Sequence, residues 1–327
     1  MRILRWLGGI LGGIVLLATV ASWFGGQEIA HRARIALTEM EDLGRARAGS
    51  VTATGFPFRL GVEIKDLTLM DGPRIEIPRL VATAPMWGPL DWSGALSLPT
   101  VVTLNGLRFN ITGTSAQAGL QAGYGAGWPV RGASLTLTDP VATMEAAAGP
   151  SLSARALRLA AAQDADAAYR IDAVIEALAL PPGLAASLTP TARFPDTIES
   201  ITAHGRLTFT SPFTLAPQPA PLIEALSLDI MRIVWDGHEI TLSGSLTVGP
   251  LGQPEGTLQL RVHDWQDWLE FAQGALRINR RVMPVLMILG NTLSQATGDG
   301  SIAVPLIFRG GQMALGPVPL GAAPVLR

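Results

Sequence analysis

The chain contains no cysteine. A disulfide framework, a thiolate zinc site and a cysteine nucleophile are therefore excluded, and the lack suits an oxidising compartment, where free thiols are a hazard. Charge is also scarce. Only 15% of residues are Asp, Glu, Lys or Arg, against about one quarter in an ordinary soluble domain. Either much of the surface is apolar, or part of it meets lipid or a partner. The formal net charge of -2 provides no global field that would favour nucleic acid. Lys65 is the only lysine; together with the many Ala, Gly and Pro, this reads as the bias of a GC-rich genome rather than as function.

Catalytic groups are equally sparse. The four histidines, His31, His204, His238 and His263, are far apart and in different contexts, with no HExxH motif and no metal-ligand spacing. There is no GxSxG nucleophile elbow and no phosphate-binding loop ending in Lys-Ser/Thr. Asp264 and Asp267 stand three apart where a helix should begin, a place that favours acidic residues for capping and dipole reasons alone. An enzyme acting on envelope lipids or glycans would need both carboxylates and a histidine gathered in one cleft. The sequence thus assigns no catalytic residue, no cofactor and no metal.

What is present begins at the N-terminus. Trp6 to Phe24 is a run of 19 residues without a charge, close to the ~20 needed to cross the hydrocarbon core of a bilayer. In lipid such a segment must be helical despite its glycines, because every backbone group has to bond internally. Trp6, Leu11, Leu16, Trp23 and Phe24 are its anchoring side chains, with aromatic rings near both ends where they suit the membrane interfaces. Thr19-Val20-Ala21 is a poor cleavage site, so residues 1–26 are expected to be an uncleaved signal-anchor. Arg2 and Arg5 on one side are balanced by Arg32 and Arg34 on the other. The very short tail favours the cytoplasm and places the remainder in the periplasm.

Residues 27–48 read as a helical stalk, with Ile29, Ile35, Leu37, Met40 and Leu43 as its apolar positions. From residue 49 the period changes to two. Val62–Leu69, Arg74–Ile77, Ala133–Thr138, His204–Thr210, Ile240–Val248 and Gly256–Val262 alternate in polarity and predict strands with one apolar and one polar face. Asp139-Pro140, Pro181-Pro182-Gly183 and Gly249-Pro250 mark turns, and Trp235-Asp-Gly-His238 marks a hairpin. Thr114–Gly127 reads as a loop, and Leu184–Thr197 could hold one short helix. Asp264 to about Leu293 returns to helical spacing, with Trp265, Trp268, Leu269 and Phe271 on one side and a kink or split at Pro284. Strands resume at Gly300–Phe308 and Gln312–Leu315, and a Pro-rich end suits a sheet edge. The expected architecture is α+β, mostly β: an N-terminal transmembrane helix, then a long curved antiparallel sheet over 49–327 with a C-terminal helix region packed on it.

Several stretches occur in an order that resembles one family. They are Thr54-Gly-Phe-Pro-Phe58, Trp235-Asp-Gly-His238, Gly244-Ser-Leu-Thr-Val248 through Gly256-Thr-Leu-Gln-Leu-Arg-Val262, His263-Asp-Trp-Gln-Asp-Trp-Leu269, and the closing Gly300–Leu306 and Leu315–Leu320. Together they look like the DUF2125 family of uncharacterised alphaproteobacterial proteins, over nearly all of the chain after the anchor. That family carries no assigned activity, so it implies no catalytic residue. The arrangement is more loosely similar to AsmA-like envelope proteins, which have an inner-membrane anchor and a long periplasmic β-sheet and are implicated in lipid movement; this likeness is one of architecture.

These readings converge on a non-enzymatic protein of the bacterial inner membrane, single-pass, with its main domain in the periplasm. It is expected to bind or move phospholipid or another envelope lipid through an apolar groove of the sheet. A structural or scaffolding role with a protein partner in an envelope complex is the alternative. Phe56, Phe58, Trp265 and Trp268 are the candidate lipid or packing contacts.

Overall fold

Alternating polarity produces strands wherever two neighbours can bury the apolar face. The computed structural model describes residues 30–326 except 32, 36, 56–57, 71–72, 146–150, 186–193, 216–220, 276–282 and 298–299. The chain forms two compact units, one of Met1–Gly149 with Thr214–Gln218, the other of Pro150–Phe213 with Pro219–Arg327.

The first unit holds a helix, α1 (30–42), and ten strands: β1 (Ala46–Arg47), β2 (Ser50–Thr54), β3 (Arg59–Leu69), β4 (Arg74–Pro85), β5 (Asp91–Leu96), β6 (Thr100–Leu104), β7 (Leu107–Thr112), β8 (Ser115–Ala122), β9 (Val130–Thr138) and β10 (Val141–Met144). β1 and β2 both pair with one edge of β3, and β4 pairs with the other. β4 then splits its far edge. Residues 74–76 pair with β6 and lead to β7 and β10, whereas residues 80–83 pair with β5 and lead to β8 and β9.

Helix α1 covers one face of this sheet. Ala30, Ala33 and Leu37, at i, i+3 and i+7, join Val51, Val62, Ile64, Leu67 and Ile77 in a core. Of the apolar positions expected to define the helix face, Ile35 and Leu43 are exposed. Alanines take the inward places, where a small side chain lets helix and sheet approach closely. Arg34 fixes the contact: its Nε and Nη2 donate to the carbonyl of Val51 at 3.1 and 2.9 Å. β2 is an edge strand, and an arginine on an outward carbonyl satisfies a group that would otherwise be free to pair with another chain.

The second unit is an antiparallel meander: β11 (Ser151–Ser153), β12 (Ala156–Ala165), β13 (Ala168–Ala179), β14 (Thr197–Phe209), β15 (Ile223–Trp235), β16 (His238–Val248), β17 (Pro254–Val262), β18 (Ile302–Arg309), β19 (Gln312–Leu315) and β20 (Val318–Ala322). From β12 onward each strand pairs with the next, and the short β11 shares the outer edge of β13 with β12. Between β17 and β18 come two helices, α2 (Trp265–Ala275) and α3 (Met283–Thr297). The Asp236-Gly237 hairpin has φ of 53° and 76°, the left-handed pair that a type I′ turn requires. Where β14, β16 and β17 pass Gly205, Gly244 and Gly256 there is no room for a side chain. A Cβ on Gly244 or Gly256 would stand 2.5 Å from a carbonyl oxygen of the neighbouring strand, and both have φ near +140°, a conformation open to glycine alone.

One expectation is corrected. Thr114–Gly127 is not a loop: Ser115–Ala122 is β8, held between β5 and β9. Its inward positions are mostly alanines, a poor strand former, and tertiary pairing on both edges overrides that propensity. The helical stretch over 264–293, expected to kink or split at Pro284, is two helices. Pro284 falls in the first turn of α3, where a missing N–H costs nothing. Among the described residues no helix is long and apolar enough to cross a membrane. The segment with Trp6, Leu11, Leu16, Trp23 and Phe24 lies outside them.

Candidate functional site

Cross-strand register in the second unit lines up apolar side chains that are far apart in sequence. One row runs Leu157, Ile175, Ile201, Ile233, Ile240, Val262, Ile302 across seven strands. The next runs Leu159, Ala173, Ala203, Met231, Leu242, Leu260, Val304. A third passes through Ile171, Gly205, Leu228, Gly244 and Leu258, and a fourth through Tyr169, Leu207, Leu226 and Leu246. Bulges at His204/Gly205 and between Leu228 and Met231 keep the rows on one face where the count of two would otherwise slip. The opposite face carries charged and polar side chains, in cross-strand pairs such as Arg158–Glu176 at 2.7 Å, the hydrogen-bonded His204–Asp172 at 2.6 Å and the close Arg232–Glu239 pair.

Two cores close parts of the apolar face, and at the Tyr169 end of β13 the Tyr169 ring is buried against Phe209 and Phe213. At one end of the strands, Trp235, Val262, Ile233, Ile240, Leu260 and Ile302 pack under Trp265, Trp268, Leu269 and Phe271 of α2. Phe194 stacks among these rings, 4.8 Å from Trp235 and 5.1 Å from Trp268, and the Trp235 indole donates to the carbonyl of Pro195 at 2.8 Å. The Trp268 indole N–H is buried without an acceptor among the described residues. A second core gathers Leu246, Leu258 and Phe308 with Leu226, Leu242, Leu306 and Met313. Between them, Ile171, Ala173, Ile175, Ile201, Ala203, Leu228 and Met231 belong to neither core and are all half-buried. Leu159, on the flanking strand, is exposed. An apolar sheet face needs a second layer or a ligand, and here the middle of that face on β13–β15 lies outside both cores.

The sequence candidates divide. Trp265 and Trp268 are buried in the α2 core, so their rings contact protein. Phe58 is exposed at the turn into β3, and Phe56 lies outside the described residues. The anchor candidates Trp6, Leu11, Leu16, Trp23 and Phe24 also lie outside them. Phe194 carried no sequence signal: it is a lone aromatic in a Pro-rich stretch. The open rows were likewise invisible, because register, not local pattern, assembles them.

Of the groups weighed for acid–base work, Asp267 does meet a histidine. His238 Nε2 donates to Asp267 Oδ2 at 2.8 Å, and Nδ1 to the carbonyl of Asp236 at 2.9 Å. Both nitrogens face acceptors, which favours the imidazolium over either neutral tautomer. Burial opposes that charge, but the Asp267 hydrogen bond and charge and the carbonyls of Asp236 and Trp235 outweigh it, so the His238 pKa is raised. Asp264, at φ +50°, accepts the Asp267 backbone N–H on its backbone carbonyl at 3.1 Å, the first turn of the helix. The arrangement clamps the start of α2 to the β15–β16 hairpin. Because the folded pKa is raised, the clamp's contribution is complete below the unfolded value of about 6.5 and is lost as pH rises through the folded one. The urea midpoint of the wild type should therefore fall between pH 6 and pH 8 by more than that of His238→Gln; equal falls in the two proteins would refute the clamp.

A family model described as an uncharacterised protein conserved in bacteria, DUF2125, matches residues 23–324. No curated protein and no solved structure matches, so the looser likeness to AsmA-like proteins gains no support from them. The match takes in the β-rich body, its two-helix insert and the ordered motifs carried on its strands and turns: the chain belongs to the DUF2125 family.

Proposed function

We propose that this chain is a non-enzymatic protein of the bacterial inner membrane, held by the Trp6–Phe24 segment with its body in the periplasm. In this reading the part of the apolar face outside both cores, in the middle of β13–β15 with Leu157 and Leu159 of β12 beside it, takes the acyl chains of a phospholipid or another envelope lipid. The observation that carries the reading is the set of half-buried aliphatic rows through Ile175–Ile201 and Ala203–Met231 that lie outside both cores. Unpaired apolar surface of this kind draws a ligand because each Å² removed from water gains about 25 cal/mol. The low charge of the chain supports it, as does the uncharged N-terminal run that would keep this face near lipid. No polar group projects from these rows, which suits retention of an acyl chain rather than its chemical conversion.

The test is a chain lacking residues 1–26, expressed in bacteria, purified without detergent and extracted for lipid mass spectrometry. Co-purifying lipid near one per chain is expected. A folded chain that carries no lipid, and takes up none from added vesicles, would sink the reading.

A further inference from the structure

We infer that one end of the first unit's sheet is a membrane-docking rim, which seats the body on the bilayer surface beside its anchor. The inference rests on the membrane attachment proposed above and adds which surface faces the lipid.

Strand pairing brings three connections to one end of this sheet. β3 begins beside the end of β4, as Arg59 pairs with Pro85. The end of β4 leads to the start of β5, where Asp91 pairs with Gln121 of β8, and β8 turns into β9 there, where Ala122 pairs with Val130. The side chains on these connections are aromatic and outward: Trp87 is 81% exposed, Tyr124 75%, Phe58 51% and Trp128 46%. The turns that carry them are fixed by backbone hydrogen bonds. Asp91 N–H donates to Gly88 at 3.0 Å, Ala122 to Leu90 at 3.0 Å and Gly123 to Pro129 at 2.7 Å. Trp128 has φ of +55°, a region that bulky side chains occupy only under strain. A strained backbone that holds an indole half in water is explained if that indole has a partner outside the fold.

Polarity along the strands points the same way. The charges on the rim are Arg59, Asp91 and Arg131, with Arg131 lying against Gly123. The described loops at the opposite end carry no aromatic residue. Ion pairs gather there instead, including Arg74–Glu76 at 2.8 Å, Arg108–Glu145 at 3.1 Å and Arg47–Glu41 at 3.5 Å. Trp and Tyr with nearby Arg are the residues that settle at a bilayer's headgroup level.

The course of α1 selects the bilayer as occupant. Its C-terminus turns at residues 43–45 beside the end of β3, where the Met70 N–H donates to Arg45 at 2.7 Å. Further back, Arg34 reaches Val51, which lies opposite Ile64. The helix therefore runs against β2, and its N-terminus points toward the aromatic rim. Five residues lie between Phe24 and Ala30, and the six steps reach about 9 Å as helix and about 20 Å extended. The apolar segment thus enters lipid on the side where the rim stands.

The chain's lack of cysteine makes the test direct. Trp87→Cys and, at the opposite end, Leu107→Cys are each labelled with a nitroxide in the full chain, reconstituted in vesicles of phosphatidylethanolamine and phosphatidylglycerol. The ratio of oxygen to nickel-chelate accessibility should be several-fold higher at position 87 than at position 107. Equal, water-like ratios in a chain that resists alkaline carbonate extraction would overturn the rim and leave the anchor intact. A label at 87 shielded from both reagents would mark a protein contact and also overturn it. A chain that carbonate washes off would overturn the attachment itself.

Discussion

Truncating Trp235 to alanine should lower the stability of the second unit by roughly 3–5 kcal/mol, the usual cost of removing a large buried aromatic. The side chain is 4% exposed and touches Phe194, Trp268 and Phe271 at centroid distances of 4.8, 6.0 and 5.1 Å. Its indole also holds the Pro195 carbonyl, and an abandoned buried acceptor adds about 1–3 kcal/mol. This is a large part of the roughly 5–15 kcal/mol that keeps an ordinary domain folded. Each kcal/mol moves the melting point of a unit this size by about 2–4 °C, so calorimetry should record a fall of roughly 10 °C or more. Trp87→Ala is the matched control: the same chemical change at an exposed site should stay within about 0.5 kcal/mol. If Trp235→Ala melts with Trp87→Ala, the ring cluster is not the keystone of α2 docking.

That cluster marks the limit of what the sequence alone can say. Trp235-Asp-Gly-His238 announces its hairpin, and the alternation of Ile240–Val248 and Gly256–Val262 announces β16 and β17, because each signal is complete within a few residues. β13 (AYRIDAVIEALA) and β12 (ALRLAAAQDA) are composed of good helix formers, and only pairing on neighbouring strands makes them extended. The open apolar face lies further out of reach. Leu157 and Ile302 end the same row, and no local pattern encodes which residue of one strand will oppose which of the next. Period-two alternation predicts that a polar face and an apolar face exist. It does not predict that α2 would cover one end of the apolar face and leave the middle of β13–β15 outside both cores. The Asp267–His238 contact was legible only in half: the carboxylate was expected at a helix start, and the hairpin that delivers the histidine to it comes from residues almost thirty positions earlier.

Ile201→Glu should abolish lipid retention while leaving the fold nearly intact. Ile201 sits between Ile175 and Ile233, half-buried and outside both cores. Against bound acyl chains the change removes an aliphatic contact worth about 1.5–3 kcal/mol when fully buried, and it sets a carboxylate where a hydrocarbon must lie. A loss of about 3 kcal/mol corresponds to a drop in affinity of roughly a hundredfold, enough to empty the site through purification. In the free protein the glutamate can turn to water, so stability should shift by no more than about 1 kcal/mol. Thr202→Glu tests whether the face matters. One step along β14 the side chain points to the opposite side of the sheet, beside Arg232 on β15, and lipid retention should be unchanged. The expected result is lipid by mass spectrometry in the wild type and Thr202→Glu, and none in Ile201→Glu, with all three melting together once stripped of lipid. Lipid lost equally from both variants would point to a general effect of charge, and lipid retained by Ile201→Glu would place the ligand elsewhere. Leu246→Glu separates the site from the core that adjoins it. Leu246 is 4% exposed within the closed patch around Phe308, so a charge there has no route to water and should unfold the unit before any question of lipid arises.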